Sequence, residues 1–314
     1  MSGVAPLSLE EAIERLTDYL YRYVRRKPAF SRHAQDSPRR AGRLLDLLGR
    51  PGREIAIVRV IGTKGKGSTA AMLEAVLRAA GYRTGLYTSP HLHSPRERIR
   101  VQGEWIGRAA FAAALRALHP LLEGSLAWDD LGPATLFEGL TATAIAHFAR
   151  CGVEIAVVEA GMGGQHDATQ SLPALLTVLT PFALDHQAYL GETLAAIAAE
   201  KAGAIPPGGV VVSAPQPEEA WETIGRRCRE VGARLIAAEP AGETLLGLDG
   251  PHQAVNAGVV RAAVEVLRAQ GWAVPPEAVS AGLRDVTWPG RLETVAGQPL
   301  TVVDGAHNPS SAQA

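Results

Sequence analysis

The chain has 314 residues, 46% of them hydrophobic and 20% charged, which supports a sizeable core in one large or two ordinary domains and excludes global disorder. Its formal net charge of −1 lacks the Lys and Arg surplus of a general nucleic-acid binder, so no nucleic-acid partner is expected. Cys151 and Cys228 have no C-x-x-C spacing, so neither a disulfide framework nor a structural zinc site follows, and no apolar run is long enough to span a bilayer. With no apolar signal-peptide core at the N-terminus, a cytoplasmic protein without membrane association is expected.

In chain order, Ser8-Leu-Glu-Glu11 has the form of a capping box opening a helix. Between Arg22 and Arg53 stand ten Lys and Arg (Arg22, Arg25, Arg26, Lys27, Arg32, Arg39, Arg40, Arg43, Arg50, Arg53) against Asp36 and Asp46, a local surplus of eight. This segment is either a solvated helical face or a field that attracts a polyanionic small molecule. Glu54 to Ile61 is a predicted strand, followed by a glycine-rich loop, a helix from about Ser68 to Ala80 and a second strand from Thr84 to Thr88. Pro133 to Arg150 is a predicted helix, with Phe137, Leu140, Thr141, Ala144 and Phe148 near one face. Val153–Val158 and Leu175–Leu179 are strands, Thr193–Ala202 is a helix closed by Gly203, Val210–Val212 a strand and Glu218–Val231 a helix. This alternation predicts an α/β fold, a parallel sheet covered by helices on both faces. A boundary is expected after Trp288-Pro-Gly-Arg291, with Leu300–Val303 as one more strand and a helix starting at Pro309. Residues 1–294 would form the first domain and 295–314 the beginning of a second, cut off near its start.

Ligands of open parallel α/β sheets bind at the carboxyl ends of strands. Five apolar runs here end in polar clusters: Gly62-Thr-Lys-Gly-Lys-Gly-Ser68, Ser89-Pro-His-Leu92, Glu159-Ala-Gly-Met-Gly-Gly164, Leu184-Asp185-His186 and Asp304-Gly-Ala-His307. Helical crossovers would put the first four on one sheet edge. The first cluster can serve as a phosphate loop. Its glycines let backbone N–H groups approach oxyanions, Lys66 adds a point charge, and Ser68 or Thr69 begins a helix. It departs from the general phosphate-loop pattern, since Gly67 rather than Ser or Thr follows Lys66, and a Gly-rich structural turn is the other reading. Glu159 after a buried strand can hold Mg²⁺ or form a salt bridge. His186 can be a metal ligand, a general base or a hydrogen-bonded turn residue. Lys201, in a mostly apolar helix, reads first as a surface lysine with its stem buried, and otherwise as a buried amine of depressed pKa.

Taken in order, these stretches resemble the folylpolyglutamate synthase and dihydrofolate synthase family, Mur-type ATP-dependent amide ligases. Further stretches that carry the resemblance are Tyr87-Thr-Ser-Pro-His-Leu92, Phe137-Glu138-Gly-Leu-Thr141, Asp167-Ala-Thr169, Ile197-Ala-Ala-Glu-Lys-Ala-Gly203, His252-Gln253 with Asn256, and Trp288-Pro-Gly-Arg-Leu-Glu293. The resemblance implies a P-loop-containing Mur-ligase-like domain followed by the start of a Rossmann-like C-terminal glutamate-ligase domain. It implies that Gly65, Lys66, Gly67 and Ser68 cradle the ATP phosphates, that Ser89, Glu159 and His186 bind Mg²⁺, and that Lys201 is carbamylated and bridges to a second Mg²⁺. Lys66, Lys201 and His186 would be the catalytic residues. Asn256, Arg291 and Asp304 match ATP-contacting positions, Asp167 the substrate wall, and His307 the mouth between domains. The implied reaction ligates L-glutamate to a folate or dihydropteroate carboxylate through an acyl phosphate, in a monomer. The rivals are a Mur-type ligase for another acid and a truncated nucleotide-binding remnant without ligase turnover. Four positions depart from the family pattern: Lys64 in place of Asn, Gln165 in place of Arg, His166 in place of Leu, and Gln170 in place of Asn.

Overall fold

The computed structural model describes residues 8, 10–14, 16, 34–242, 244–306 and 309–312. Arg22, Arg25, Arg26, Lys27, Arg32 and His307, all named above, lie outside the described residues. At the N-terminus the expected capping box is formed: Ser8 N donates to Glu11 Oε2 at 2.6 Å and Glu11 N to Ser8 Oγ at 3.1 Å. Pro38 lies in the first turn of helix α1 (Ser37–Leu47), which buries Ala41, Leu44 and Leu45. The apolar run after it forms β1 (Ala56–Ile61). Helix α2 (Lys66–Ala79) starts two residues earlier than the sequence suggests, because Gly65 takes a left-handed conformation and becomes its N-cap.

There follow β2 (Thr84–Tyr87), β3 (Ile99–Val101), β4 (Glu104–Trp105), and helices α3 (Arg108–Ser125) and α4 (Leu136–Arg150). Helix α4 begins at Leu136 rather than Pro133. Thr135 caps it, its hydroxyl accepting from Glu138 N while the Glu138 carboxylate accepts from Thr135 N. Next come β5 (Ile155–Glu159), β6 (Ala174–Leu179), the short α5 (Gln187–Leu190) and α6 (Leu194–Ala202), which Thr193 caps. The chain continues through β7 (Val210–Ser213), α7 (Glu218–Val231), β8 (Arg234–Ala237), α8 (His252–Ala269) and α9 (Pro276–Asp285). It ends in the hairpin β9 (Glu293–Gly297) and β10 (Leu300–Val303) and the short α10 (Pro309–Ala312). The expected division at residue 294 falls inside β9. No helix among the described residues is long and apolar enough to cross a membrane.

One eight-stranded sheet has the order β4-β3-β2-β5-β1-β6-β7-β8. All neighbours from β2 to β8 are parallel, and β3 and β4 add an antiparallel edge. From β1 the chain runs out on one side through β2, β3 and β4 and returns to insert β5 between β1 and β2, then builds outward through β6, β7 and β8 on the other. The sheet order therefore reverses at β1, which is where a ligand crevice opens. Alternation along each strand sends side chains to both faces. Val58, Val60, Val157, Val178 and Val212 meet α2, α8 and α9 on one face. On the other face, Ile57, Tyr87 and Val158 pack against α1, α3 and α4, while Ile61, Leu179 and Val211 pack against α6 and α7.

Two buried arginines tie this frame together. Arg40 on α1 forms a two-pronged pair with Glu138 on α4, at 2.8 and 2.9 Å, and also donates to Leu131 O at 2.9 Å. Arg59 in β1 donates to the carbonyls of Thr169, Leu172 and Ala204, and burial lowers its pKa to about 10. Breaking a buried pair leaves one charge uncompensated, at a cost of about 3–5 kcal/mol. Arg40→Met should therefore lower the unfolding free energy measured in urea by that order, and Arg40→Met/Glu138→Leu should recover part of the loss. An R40M chain as stable as wild type would contradict this role for the pair.

Candidate active site

The loop after β1 is tied to its neighbours before it opens into α2. Thr63 N and Lys64 N donate to Pro181 O at 3.0 and 3.1 Å, and the Thr63 hydroxyl exchanges hydrogen bonds with the main chain of Ala183. Gly65 then has φ +77°, and a Cβ there would lie 2.3 Å from Asn256 Oδ1. Glycine is required at this position both by conformation and by the approach of α8. Asn256 is held in turn by the Thr69 hydroxyl at 3.3 Å and by Gln253 Oε1, which accepts from its Nδ2 at 2.8 Å. Lys66, Gly67 and Ser68 form the first turn of α2, whose N–H groups have no intrahelical carbonyl and favour an anion.

Glu159, at the end of β5, sits level with Val60 of β1. It is only 4% exposed, and its Oε2 accepts from Ser89 N at 3.0 Å. The same oxygen lies 3.7 Å from where a Cβ on Gly67 would be. Burial pushes its carboxyl above the usual range, against the pull of Lys66, the Ser89 N–H, Arg291 and Arg98. A buried carboxylate in that state, beside a loop suited to phosphate, is a hard oxygen donor whose charge a divalent cation would neutralise, so the donor chemistry fits Mg²⁺. Ser89 and Glu159 are thus brought together. His186 lies after β6, is half exposed with φ +50°, and has its side-chain contact with Asp185, Nε2 to Oδ1 at 3.9 Å. Among the described residues, no three His, Cys, Asp or Glu side chains cluster to hold a metal by themselves.

Lys201 is not the surface lysine that its helix first suggests. It is 4% exposed, and its Nζ donates to Gly62 O at 2.9 Å. Burial, and then repulsion from Lys66, lowers its pKa to about 7. The Asp167 carboxylate is also buried and accepts from Gly161 N, Met162 N, Thr169 N and the Thr169 hydroxyl, at 2.6 to 3.1 Å. It shapes the Gly161–Gly164 turn, and burial raises its pKa. Asp167 also lines a cavity of about 710 Å³ together with Phe137, Met162, His166, Tyr189 and Glu200. Arg291 and Asp304 both lie at the base of the hairpin. Asp304 accepts from Leu292 N and Ala306 N at 3.0 and 2.7 Å, and Gly305 N and Arg291 Nη1 both donate to Gly290 O.

No family model matches the chain. A dihydrofolate synthase/folylpolyglutamate synthase of Mycobacterium tuberculosis is 36% identical, covering 100% of this chain and 71% of that relative. This chain belongs to the folylpolyglutamate synthase/dihydrofolate synthase family. A probable bifunctional folylpolyglutamate synthase/dihydropteroate synthase of Haloferax volcanii is 38% identical over 86% of this chain, which spans only 35% of that relative's length. Among solved structures, an FPGS–AMPPCP–folate complex is 33% identical and superposes with a TM-score of 0.81, covering 90% of this chain and 74% of that one.

The departures from the family pattern now have physical settings. Lys64 directs its charge to Asp185, Nζ to Oδ2 at 3.5 Å, rather than only toward phosphate, and burial lowers its pKa. Burial raises the Asp185 carboxyl, but His186 and Lys64 outweigh it and hold the group below its ordinary range. His166 Nδ1 lies 2.8 Å from Glu200 Oε2, and the other Glu200 oxygen accepts from Gly164 N and His166 N. Gln165 packs where a Cβ on Gly203 would be, and Gln165 N donates to Glu200 O at 2.8 Å. Residues 163–166 are thereby docked on the end of α6 that carries Lys201. Gln170 N donates to Asp167 O at 3.0 Å, and nothing in the structure explains its amide in place of Asn.

Glu97 is a residue to which the sequence reading assigned no role. Its carboxylate accepts from Leu92 N, His93 N and Ser94 N at 2.6 to 2.9 Å and so shapes the loop after Ser89. Those N–H bonds outweigh burial and keep its pKa below the usual range. The signal was readable, since Ser94-Pro-Arg-Glu97 is itself a capping box. Gly65→Ala should weaken binding of a non-hydrolysable ATP analogue by about tenfold or more, because left-handed alanine costs roughly 1–2 kcal/mol before the clash with Asn256 is counted. Calorimetric titration gives the answer, and wild-type affinity in this variant would refute the assignment of Gly65.

Proposed function

We propose that this chain carries the nucleotide and acceptor sites of an ATP-dependent carboxylate–amine ligase that joins L-glutamate to a folate or dihydropteroate. One observation carries the reading. The glycine loop, the buried Glu159 carboxylate and the buried Lys201 amine meet at the strand ends where the sheet order reverses. The cavity lined by Asp167 suits a flat, mostly apolar acceptor, with Phe137, Met162 and Tyr189 in its wall.

In this scheme the N–H groups of Gly65, Lys66, Gly67 and Ser68 and the Lys66 ammonium hold the ATP phosphates, with Asn256 buttressing the loop. Arg291 and Asp304 act from the hairpin side. The acceptor carboxylate oxygen attacks the γ-phosphorus, the bond to the β–γ bridging oxygen breaks, and ADP and an acyl phosphate result. The neutral amine of glutamate then attacks the acyl carbon, phosphate leaves with the C–O electron pair, and the nitrogen gives up a proton. The protein positions these groups and offsets phosphoryl charge. Ser89, Glu159 and His186 would hold Mg²⁺, which when bound supplies further neutralisation of that charge. Lys201 would carry a carbamate, an anionic oxygen donor for a second ion. Its burial supports this, because only a neutral amine adds CO₂ and a lysine with a pKa of about 7 is readily neutral. The hairpin onward would begin a second, glutamate-side unit, with His307 at the mouth.

In a protein continued through that unit, with Mg²⁺-ATP, glutamate and either dihydropteroate or tetrahydrofolate, amide product and phosphate should appear together. Lys66→Ala should reduce phosphate release by about 10²–10³-fold, the range for removing one preorganised charge-stabilising donor. A protein continued through that glutamate-side unit that binds ATP tightly yet forms product with neither acceptor would rule out the folate reading. Carbamylation has its own readout. Protein exposed to ¹³C-bicarbonate should show a carbamate resonance that grows as pH rises through about 7 and disappears below it, because the lowered pKa leaves the amine neutral only above that value. The resonance should be missing in Lys201→Met. If wild type and K201M have the same spectrum well above that pH, Lys201 is not carbamylated.

A further inference from the structure

Trp288 lies beyond the last helix packed on the sheet, three residues before Arg291, yet its ring reaches back to the phosphate loop. A Cβ on Gly67 would lie 3.1 Å from the indole Nε1 and 3.7 Å from its Cε2. Gly67 is the second residue of α2, and a helical Cβ tilts toward the N-terminus. The indole nitrogen is therefore beside the open rim of the helix, where the free N–H groups are, and Glu159 Oε2 flanks the same point at 3.7 Å. The guanidinium of Arg100 in β3 lies over the ring, with its Cζ 4.5 Å from the ring centroid. Arg100 is anchored through its Nε to Glu97 O at 3.3 Å. The ring is thus held from behind by a cation–π stack and turned so that its nitrogen edge meets the loop.

An indole N–H can only donate, and this one makes no hydrogen bond to an acceptor among the described residues. It joins Lys66 and the first-turn N–H groups, so donors gather around Gly67, with the Glu159 carboxylate flanking them. A donor placed there has a natural acceptor in a phosphate oxygen. Beyond Trp288 the chain turns through Gly290 (φ +72°) and Leu292 (φ +46°) into the hairpin. Asp304 and Gly290 pin the far end of the hairpin to this turn.

We propose that Trp288 is a nucleotide-binding residue whose indole N–H donates to a phosphate oxygen of bound ATP, so that nucleotide occupancy fixes the arm bearing Arg291 and Asp304. This rests on the reading of residues 62–68 as the ATP phosphate loop. Trp288→Phe keeps an aromatic ring over Arg100 and beside Gly67 but removes the donor. Titrated with Mg²⁺ and AMPPCP, W288F should bind about tenfold or more weakly than wild type, as expected for a hydrogen bond to a charged acceptor. Its thermal midpoint without nucleotide should match wild type. The nucleotide-dependent change in tryptophan fluorescence should be lost in W288F. Arg100→Leu, which retains the N–H but loosens the ring, should show a smaller loss of affinity. Should W288F fold poorly, the Trp288 indole ¹H–¹⁵N resonance of wild type decides, and it should shift downfield on adding AMPPCP. Affinity of W288F within twofold of a tightly binding wild type, or an unmoved indole resonance at saturation, would overturn the proposal and leave the phosphate-loop reading intact. Failure of wild type itself to bind AMPPCP, with Lys66→Ala no different, would overturn both.

Discussion

Between Ile61 and Lys66 the chain must pass from a strand into a helix while leaving the helix N-terminus open, and the left-handed Gly65 is what permits that turn. The candidate site is arranged around it. Asn256 of α8 reaches into the space a side chain would need. Thr63 and Lys64 hang on Pro181 O. Lys201 holds Gly62 O. One short loop therefore receives support from β6, α6 and α8, elements far apart in sequence. They can meet there because the sheet builds outward in both directions from β1.

Burial then sets the chemistry. Glu159 and Lys201 both lie at the same sheet edge and both are 4% exposed. Loss of water disfavours the charged form of each, so the carboxyl rises and the amine falls. Neither is left without compensation: Glu159 has the Ser89 N–H and the field of Lys66, and Lys201 has the Gly62 carbonyl. Groups in that condition respond strongly to an incoming ion or phosphate, since charge interactions are weakly screened in such a site. Asp167 is a contrast. Four donors already occupy its oxygens, so it holds the Gly161–Gly164 turn in shape rather than offering a free charge.

The β–α alternation and several boundaries were legible in the residues themselves, because periodicity and capping act over a few positions. Helix α7 runs from Glu218 to Val231 as read, and β6 differs from its expected range by one residue. Helices α3, α8 and α9 and strands β3, β4 and β8 had no assignment from the sequence. Strand β8 has four residues and pairs on one side, while β4 has two, so neither leaves a pattern long enough to read. The glycine-rich loop, Glu159 and Ser89 could be singled out because each follows an apolar run. Lys201 was misleading by the same logic, since a lysine in an alanine-rich helix gives no local sign of which face the sheet will cover.

Residue type and spacing alone determined the α/β class, the strand-end clusters and the need for glycine at the loop, because these depend on local sterics and on burying apolar runs. Tertiary structure decided which clusters share an edge, that Lys64 faces Asp185, that Lys201 is buried against Gly62, and that Trp288 returns to the glycine-rich loop. Each of these joins residues far apart in the chain, through contacts that exist only once the sheet has assembled. Desolvation, which sets the state of Glu159 and Lys201, is likewise a property of the packed whole and of no segment by itself.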